Sequence, residues 1–343
     1  GMGKIALVVG GTGMAGNGMI PNLLNQAGEE YDAAICLART VDETTFASRT
    51  EREYIPMPCD LDAKDAVVEA LVQRGRPPIT HVYWFADANR PPALGNTVLM
   101  RALFAATDKM APVVHGIVKM SPQFVRDQLY GTQARLAGSG RNVRNQAWMS
   151  NVLDALAETG APLESVVLGT GGKHYGMHLG PGLWAEYSSP FYEDGTKCPG
   201  PLSYFDAVEF LQRRAELDGF SWNEVRPTFI VGSCPELTGA TQSFAVALAT
   251  FAVILKAQGK KLRYPGTDAS YRAMINLCTS EKIAEVAAWS TGHPNQAFNC
   301  LSCPPFNWKR AWPDIARWFG MEPADPVHKV TGQSSAAVAG PRA

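Results

Sequence analysis

Neither sign of charge dominates this chain. Its 31 Lys and Arg stand against 32 Asp and Glu, a formal net charge of -1, so no global field draws in nucleic acid or an anionic membrane, and neither is an expected partner. No apolar run is long enough to cross a bilayer, and no signal-peptide pattern precedes the first apolar stretch; a cytoplasmic location is the expectation. Cysteine lacks pattern: Cys36, Cys59, Cys198, Cys234, Cys278, Cys300 and Cys303 are scattered and odd in count, which argues against a disulfide framework. Cys300 and Cys303 make one CxxC. Zinc would need a second ligand pair and redox chemistry a reactive helix terminus, so reduced thiols and no bound metal are expected. Few basic residues interleave with the aromatics, and Trp308, Trp312 and Trp318 read as core or helix-packing residues. The 343 residues, 46% hydrophobic, suffice for one large α/β domain or for two, with a small-molecule substrate as the expected partner and a homodimer compatible.

What is present begins with KIALVVGGTGMAG, Lys4 to Gly16. Ile5 to Val9 is short, continuous and rich in β-branched residues, the pattern of a fully buried strand. Gly10, Gly13 and Gly16 are spaced GxxGxxG, and Gly11, Gly13 and Gly16 also satisfy GxGxxG. Such glycines allow a tight turn and let a pyrophosphate approach the backbone, while a following helix offers it N–H groups, so a dinucleotide is expected here. Pro21 breaks the local rule, because inside that helix it removes a hydrogen bond and kinks the axis.

The chain continues as alternating strands and helices. Ala33 to Leu37 reads as a second strand ending at Ala38, Arg39 and Thr40. An NAD site would place Asp or Glu there, whereas Arg39 pairs with a 2′-phosphate, which favours NADPH/NADP+ over NADH. With Asp42 and Glu43 close behind, a solvated surface arginine is the other reading. Tyr54 to Met57 leads to Asp60 and Leu61, where Asp60 either contacts adenine or caps a helix starting near Ala63. His81 to Ala86 is the fourth strand. The rhythm then fails: an insertion at about 91–141 is expected, a lid or a subunit contact, with helical signals at Asn96 to Ala106 and at Ser121 and Pro122. A helix from about Asn145 to Glu158 and a strand from Ser165 to Leu168 resume the pattern. That strand runs into Gly169, Thr170, Gly171, Gly172, Lys173, His174 and Tyr175, delivering a lysine at a strand's C-terminal end. Tyr204 opens a helix with Phe205, Val208, Leu211 and Ala215 on one face, and a strand over Glu224 to Val231 contains Arg226 and Pro227.

None of the ten tyrosines is followed four residues later by lysine, the signature of ordinary short-chain dehydrogenases; after Tyr204 that place is Val208. The ammonium must come from elsewhere, and Lys173 lies at the correct end of the sheet. GGTGMAG, CDLD at Cys59 to Asp62, THVYWFADANR at Thr80 to Arg90, TGGKHYGMHLGPG at Thr170 to Gly182, SYFDAVEF at Ser203 to Phe210, RPTFIVG at Arg226 to Gly232, LRYPG at Leu262 to Gly266 and AFNCLSCPPFNWKRAW at Ala297 to Trp312 follow in order. Together they resemble the progesterone 5β-reductase and iridoid synthase family of atypical extended short-chain dehydrogenases. The resemblance implies NADPH-dependent reduction of the activated C=C bond of enones or enals by 1,4-hydride addition. It implies Lys173 and Tyr204 as catalytic residues, with Phe205 in place of a second tyrosine. The cofactor-binding candidates, from motif and resemblance together, are Gly10, Thr12, Gly13, Met14, Ala15, Gly16, Arg39, Asp60, Leu61, Ala86, Lys173, Pro227 and Ile230. Thr40 replaces a frequent second arginine.

Two other functions stay open: a carbonyl reductase or sugar-nucleotide epimerase or dehydratase, disfavoured by the missing Tyr-x-x-x-Lys, and a non-catalytic NADP-sensing regulator. The expected architecture is α/β, a Rossmann-like doubly wound parallel sheet over residues 1–232. A smaller part at 233–322, with helices at Ser243 to Gln258 and Ser280 to Trp289, is expected to cover the substrate. The tail at 323–343 is small and polar enough for disorder.

Overall fold

The run KIALVV has apolar side chains for both faces of a strand. In the computed structural model of the chain it forms β1 (Lys4–Val9), with Leu7 and Val9 in one core layer and Ala6 and Val8 in the other. The structure describes residues 3–26, 31–46, 53–87, 141–176, 190–195, 197–198, 202–232 and 243–326. After β1 the expected helix is broken. Residues 10–18 run through turns, α1 spans only Met19–Pro21, and Asn22–Gln26 form a π-helical turn. Gly13, Gly16 and Gly18 weaken a helix, and Pro21 has no N–H for the carbonyl of Asn17. Asn17 compensates locally, its side-chain amide donating to the carbonyls of Gly13 (3.1 Å) and Met14 (3.0 Å).

The alternation then resumes with β2 (Tyr31–Ala38), β3 (Glu53–Pro58), α2 (Lys64–Gln73), β4 (His81–Trp84), α3 (Arg141–Glu158), β5 (Ser165–Gly169), α4 (Ser203–Asp218) and β6 (Ser221–Pro227). The apolar stripes of α2, α3 and α4, including Leu71, Val152 and Leu211, pack with Leu7 and Val9. Helix α2 begins after Ala63 with no side-chain cap, so Asp60 does not cap it; its carboxylate accepts the N–H of Asp62 at 3.1 Å. The helical signals at Asn96 to Ala106 and at Ser121 and Pro122, with nearly all of the expected insertion, lie outside the described residues.

The strand expected over Glu224 to Val231 divides at Pro227, which brings no N–H to a ladder. Beyond it come β7 (Phe229–Val231), α5 (Phe244–Ala257), β8 (Leu262–Arg263), α6 (Asp268–Arg272), β9 (Met274–Ile275), β10 (Leu277–Thr279), α7 (Ser280–Ser290) and β11 (Gln296–Cys300). Strand β7 pairs with β10, while β11 joins β6 and completes a seven-stranded parallel sheet in the order β11-β6-β5-β4-β1-β2-β3. With core layers on both faces, it is the doubly wound sheet the sequence predicts. Edge strand β3 tolerates Pro56 and Pro58, and Arg74 Nη2 donates to the Pro56 carbonyl at 2.6 Å.

The division of the chain differs from one boundary near residue 232. Gly1–Phe244 and Leu277–Ser302 form one unit, and Ala245–Asn276 with Cys303–Ala343 a second. Helix α7 belongs to the sheet because Ile283, Ala284 and Ala287 are buried with Ala6 and Val8. In the second unit β12 (Phe306–Asn307) pairs with β9, α8 (Trp308–Trp318) follows, and β13 (Pro323–Ala324) pairs with β8. The expected tail therefore starts as paired strand, and beyond residue 326 it lies outside the described residues. Trp312 is buried and its indole donates to the Leu262 carbonyl at 2.8 Å, whereas Trp318 is 82% exposed and is not the packing residue expected. Among the described residues no helix is long and apolar enough to cross a membrane.

A methyl group on Gly16 would stand 2.6 Å from the carbonyl oxygen of Gly10 and 3.1 Å from the Gly11 Cα. Gly16→Ala is therefore expected to destabilise the protein by about 1–3 kcal/mol, the range for overpacking. Urea unfolding checks this, and an unchanged midpoint would contradict the packing of the loop.

Candidate functional site

Parallel strands leave their C-terminal ends on one side of the sheet, and ligands of such sheets bind where the strand order reverses. Here that place is between β1 and β4. Gly10 follows β1 with φ +81, and a methyl on it would lie 2.7 Å from the backbone nitrogen of Ala86, so only glycine allows the two strand ends to meet. Thr12 and Met14 are buried beside them. Among the described residues, the N–H groups of Thr12, Met14 and Ala15 have no backbone acceptor, whereas Gly13 donates to Gly10 at 3.0 Å. Open N–H groups in a glycine turn suit phosphate oxygens, so the loop fits a dinucleotide pyrophosphate without a helix N-terminus behind it. A methyl on Gly232 would lie 3.7 Å from Met14 Sδ, which brings the end of β7, with Ile230, to this loop.

Toward β2 and β3, Arg39 and Asp60 are exposed and Leu61 is buried, its carbonyl accepting from Asn151 Nδ2 at 2.8 Å. Asp62, which the sequence reading named only as the end of the CDLD motif, gathers the charges of this flank. Its carboxylate accepts from Arg144 Nε (2.9 Å) and Nη2 and from Trp148 Nε1 (2.6 Å). The Arg144 hydrogen bond, then that of Trp148, hold its carboxyl below the usual range, and Arg39 adds attraction.

Toward β5 and β6, Gly172–Tyr175 form a 3-10 turn that carries Lys173, half-buried. Tyr204 is the second residue of α4. A methyl on Gly171 would stand 3.3 Å from the Pro227 carbonyl oxygen and 3.6 Å from Tyr204 Oη. The Tyr204 hydroxyl, the backbone leading into Lys173 and the end of β6 thus meet. By strand order they lie across the switch point from Arg39 and Asp60.

Below this turn lies a polar group the sequence reading missed. Glu224 and Arg226, on the same face of β6, are 1% and 6% exposed, and Arg226 Nη2 donates to Glu224 Oε2 at 2.6 Å. The signal was available: two opposite charges alternate in a strand otherwise patterned for burial. Tyr175 joins them, donating to Asn299 Oδ1 at 2.8 Å and stacking on Phe191 with ring centroids 4.8 Å apart. The CxxC does not act as a pair. Cys300 is buried with its Sγ 3.3 Å from that of Cys278, while Cys303 is half-exposed. Among the described residues no cluster of His, Cys, Asp or Glu could hold a metal ion.

A seven-stranded parallel sheet with core layers on both faces and a glycine turn at its switch point defines a Rossmann-fold protein. The UDP-glucose 4-epimerase of Thermus thermophilus, solved with NAD, shares the fold with a TM-score of 0.55 at 18% identity, over 94% of this chain and 86% of that one. The chain belongs to the PRISE-like Rossmann-fold domain family, which matches residues 127–339. It is 32% identical over 189 residues to the (S)-8-oxocitronellyl enol synthase CYC2 of Camptotheca acuminata, covering 53% of this chain and 47% of the relative. It is 29% identical over 185 residues to the 3-oxo-Delta(4,5)-steroid 5-beta-reductase of Arabidopsis thaliana, covering 52% and 46%. The chain thus spans about half the length of these relatives.

His174 offers a pH test of the turn. Burial, reinforced by Arg226, lowers its pKa to about 4, although Glu224 lies 3.9 Å from Nδ1. An unfolded histidine titrates near ~6.5, so between the two values the folded protein binds fewer protons than the unfolded chain. The stability held by the neutral ring is complete above about pH 6.5 and is lost as pH falls toward 4, by up to about 1.4 kcal/mol per pH unit. Urea unfolding at pH 7 and pH 5 is expected to show this fall, and His174→Gln to reduce it. An equal fall in the variant would contradict the buried neutral ring.

Proposed function

We propose that this protein reduces the activated C=C bond of enones or enals with NADPH. The observation that carries the reading is the meeting of the Tyr204 hydroxyl, the backbone entering Lys173 and the end of β6, across the switch point from Arg39. The glycine turn would hold the pyrophosphate, Arg39 the 2′-phosphate, Asp60 and Leu61 the adenine side, and Ala86, Lys173, Pro227 and Ile230 the nicotinamide side. Bound NADPH supplies a hydride to the substrate's β-carbon. As that bond forms, the C=C electrons move toward the carbonyl and charge builds on its oxygen, to which the Tyr204 hydroxyl donates a hydrogen bond. The Lys173 ammonium favours the ionised side of the phenol and strengthens that bond. Donors aimed at an oxygen that becomes charged only during the reaction lower its barrier selectively. The enolate then takes a proton from water at its α-carbon, which leaves a saturated carbonyl compound. An enol synthase and a steroid 5-beta-reductase among the relatives support this chemistry.

The likeness to a UDP-glucose 4-epimerase favours a second reading, carbonyl or sugar-nucleotide chemistry. Against it, the position four residues after Tyr204 is Val208, buried in the core where no ammonium could serve.

NADPH oxidation across a panel of small enones and enals is expected to reveal substrates. A pure protein that binds NADPH and turns over none would overturn the assignment, and an alcohol product with its double bond intact would move it to carbonyl reduction. On an accepted enone, Tyr204→Phe is expected to lower kcat about 100-fold, as loss of an oxyanion donor does, with NADPH affinity nearly unchanged. Lys173→Ala should weaken both, and the double variant should fall short of additivity. Near wild-type turnover in a folded Tyr204→Phe protein would remove this tyrosine from the mechanism.

A further inference from the structure

We propose that Glu224 and Arg226 are positioning residues for Lys173, acting through Thr170 on one side of it and Tyr175 on the other. The proposal rests on the reading of Lys173 as an active-site residue. Removing a carboxylate and a guanidinium from water is costly, and an apolar pair of similar volume is often at least as stable, so stability alone gives no reason for charges here. What an apolar pair could not do is bind the two ends of the turn. Thr170 Oγ1 donates to Glu224 Oε1 at 2.5 Å, three residues before the lysine. Arg226 Nη1 donates to Tyr175 Oη at 3.0 Å, two residues after it, and to the Glu193 carbonyl at 2.9 Å.

Between these ties the chain has little slack. The His174 N–H donates to the Gly171 carbonyl and the Gly176 N–H to the Lys173 carbonyl, both at 3.0 Å. The same turn reaches the tyrosine: the His174 ring stands edge-on to Phe205, the neighbour of Tyr204, with centroids 5.2 Å apart at 90°. One ion pair on β6 therefore sets where the lysine backbone sits and how the turn meets the start of α4. A misplacement of about 1 Å at a reacting centre can cost about 100-fold in rate.

Thr170→Val and Tyr175→Phe each cut one tie and leave the ion pair and the side-chain volume in place. On an accepted enone each is expected to lower kcat between about 10- and 100-fold, with the KM for the enone within about twofold and the thermal midpoint little moved. Thr170→Ser keeps the hydroxyl and is expected to retain wild-type kcat. Acetylation of Lys173 by acetic anhydride, followed by peptide mass spectrometry, is expected to change in rate in the Val and Phe variants and to match wild type in the Ser variant. Wild-type kcat and labelling in both the Val and Phe variants would overturn the proposal, as would a loss of kcat that tracks lost folded protein and is shared by Thr170→Ser. If the wild-type protein reduces no enone, the labelling rates alone decide: a change in the Val and Phe variants supports the positioning role, and none overturns it.

Discussion

The buried ion pair of Glu224 and Arg226 is the constraint on which the rest of the site depends. Both groups lose their hydration, so each must be satisfied inside the protein, and a lone survivor of the pair would be a buried unpaired charge. The partners of Glu224 Oε1 and Arg226 Nη1 come from separate parts of the chain, Thr170 and Tyr175 from the turn after β5 and Glu193 from a distant loop, while Arg226 Nε has no partner among the described residues. Asn299 on β11 enters through Tyr175. A hydrogen-bond requirement at the end of one strand thereby fixes a neighbouring loop, and the loop carries the lysine.

A second constraint operates at the switch point. The chain must turn sharply after β1 within reach of the backbone after β4, and at Gly10 any side chain would collide with Ala86. Further glycines in the same stretch, Gly13, Gly16 and Gly18, weaken the helix after it, and Pro21 ends the weakening in a break. The turn therefore offers N–H groups individually rather than through a long helix, and the side-chain amide of Asn17 donates to the carbonyls of Gly13 and Met14, the first of which also accepts the Asn17 backbone N–H. The proposed dinucleotide site and the loop geometry thus share one stretch of chain, which would tie binding to local stability.

Much of the fold was legible from periodicity. The buried strands are short apolar runs because both faces are covered, and the stripe of Val208, Leu211 and Ala215 marked α4 before its partners were known. The apolar pattern runs through Pro227 and reads as one strand over Glu224 to Val231, but the missing N–H of Pro227 ends β6 there instead. Exposure was harder to read. Trp312 and Trp318 are the same residue type on one helix, yet one is buried and the other faces outward, because helical phase and the neighbouring Leu262 carbonyl decide which indole has a partner.

The sequence by itself determined the glycine turn, the strand-helix alternation, the absence of a lysine four residues after any tyrosine, and the presence of Lys173 and Tyr204 at element ends. These are local properties, set by backbone freedom and side-chain spacing. Only the tertiary structure decided that residues 277–302 return to the sheet, that Asp62 draws Arg144 and Trp148 to one flank, and that Glu224 and Arg226 clamp the turn around Lys173. Each of those depends on partners dozens of residues away in the chain. A charge in a strand does not reveal whether water or a distant side chain will satisfy it until the strands are stacked and the water is gone.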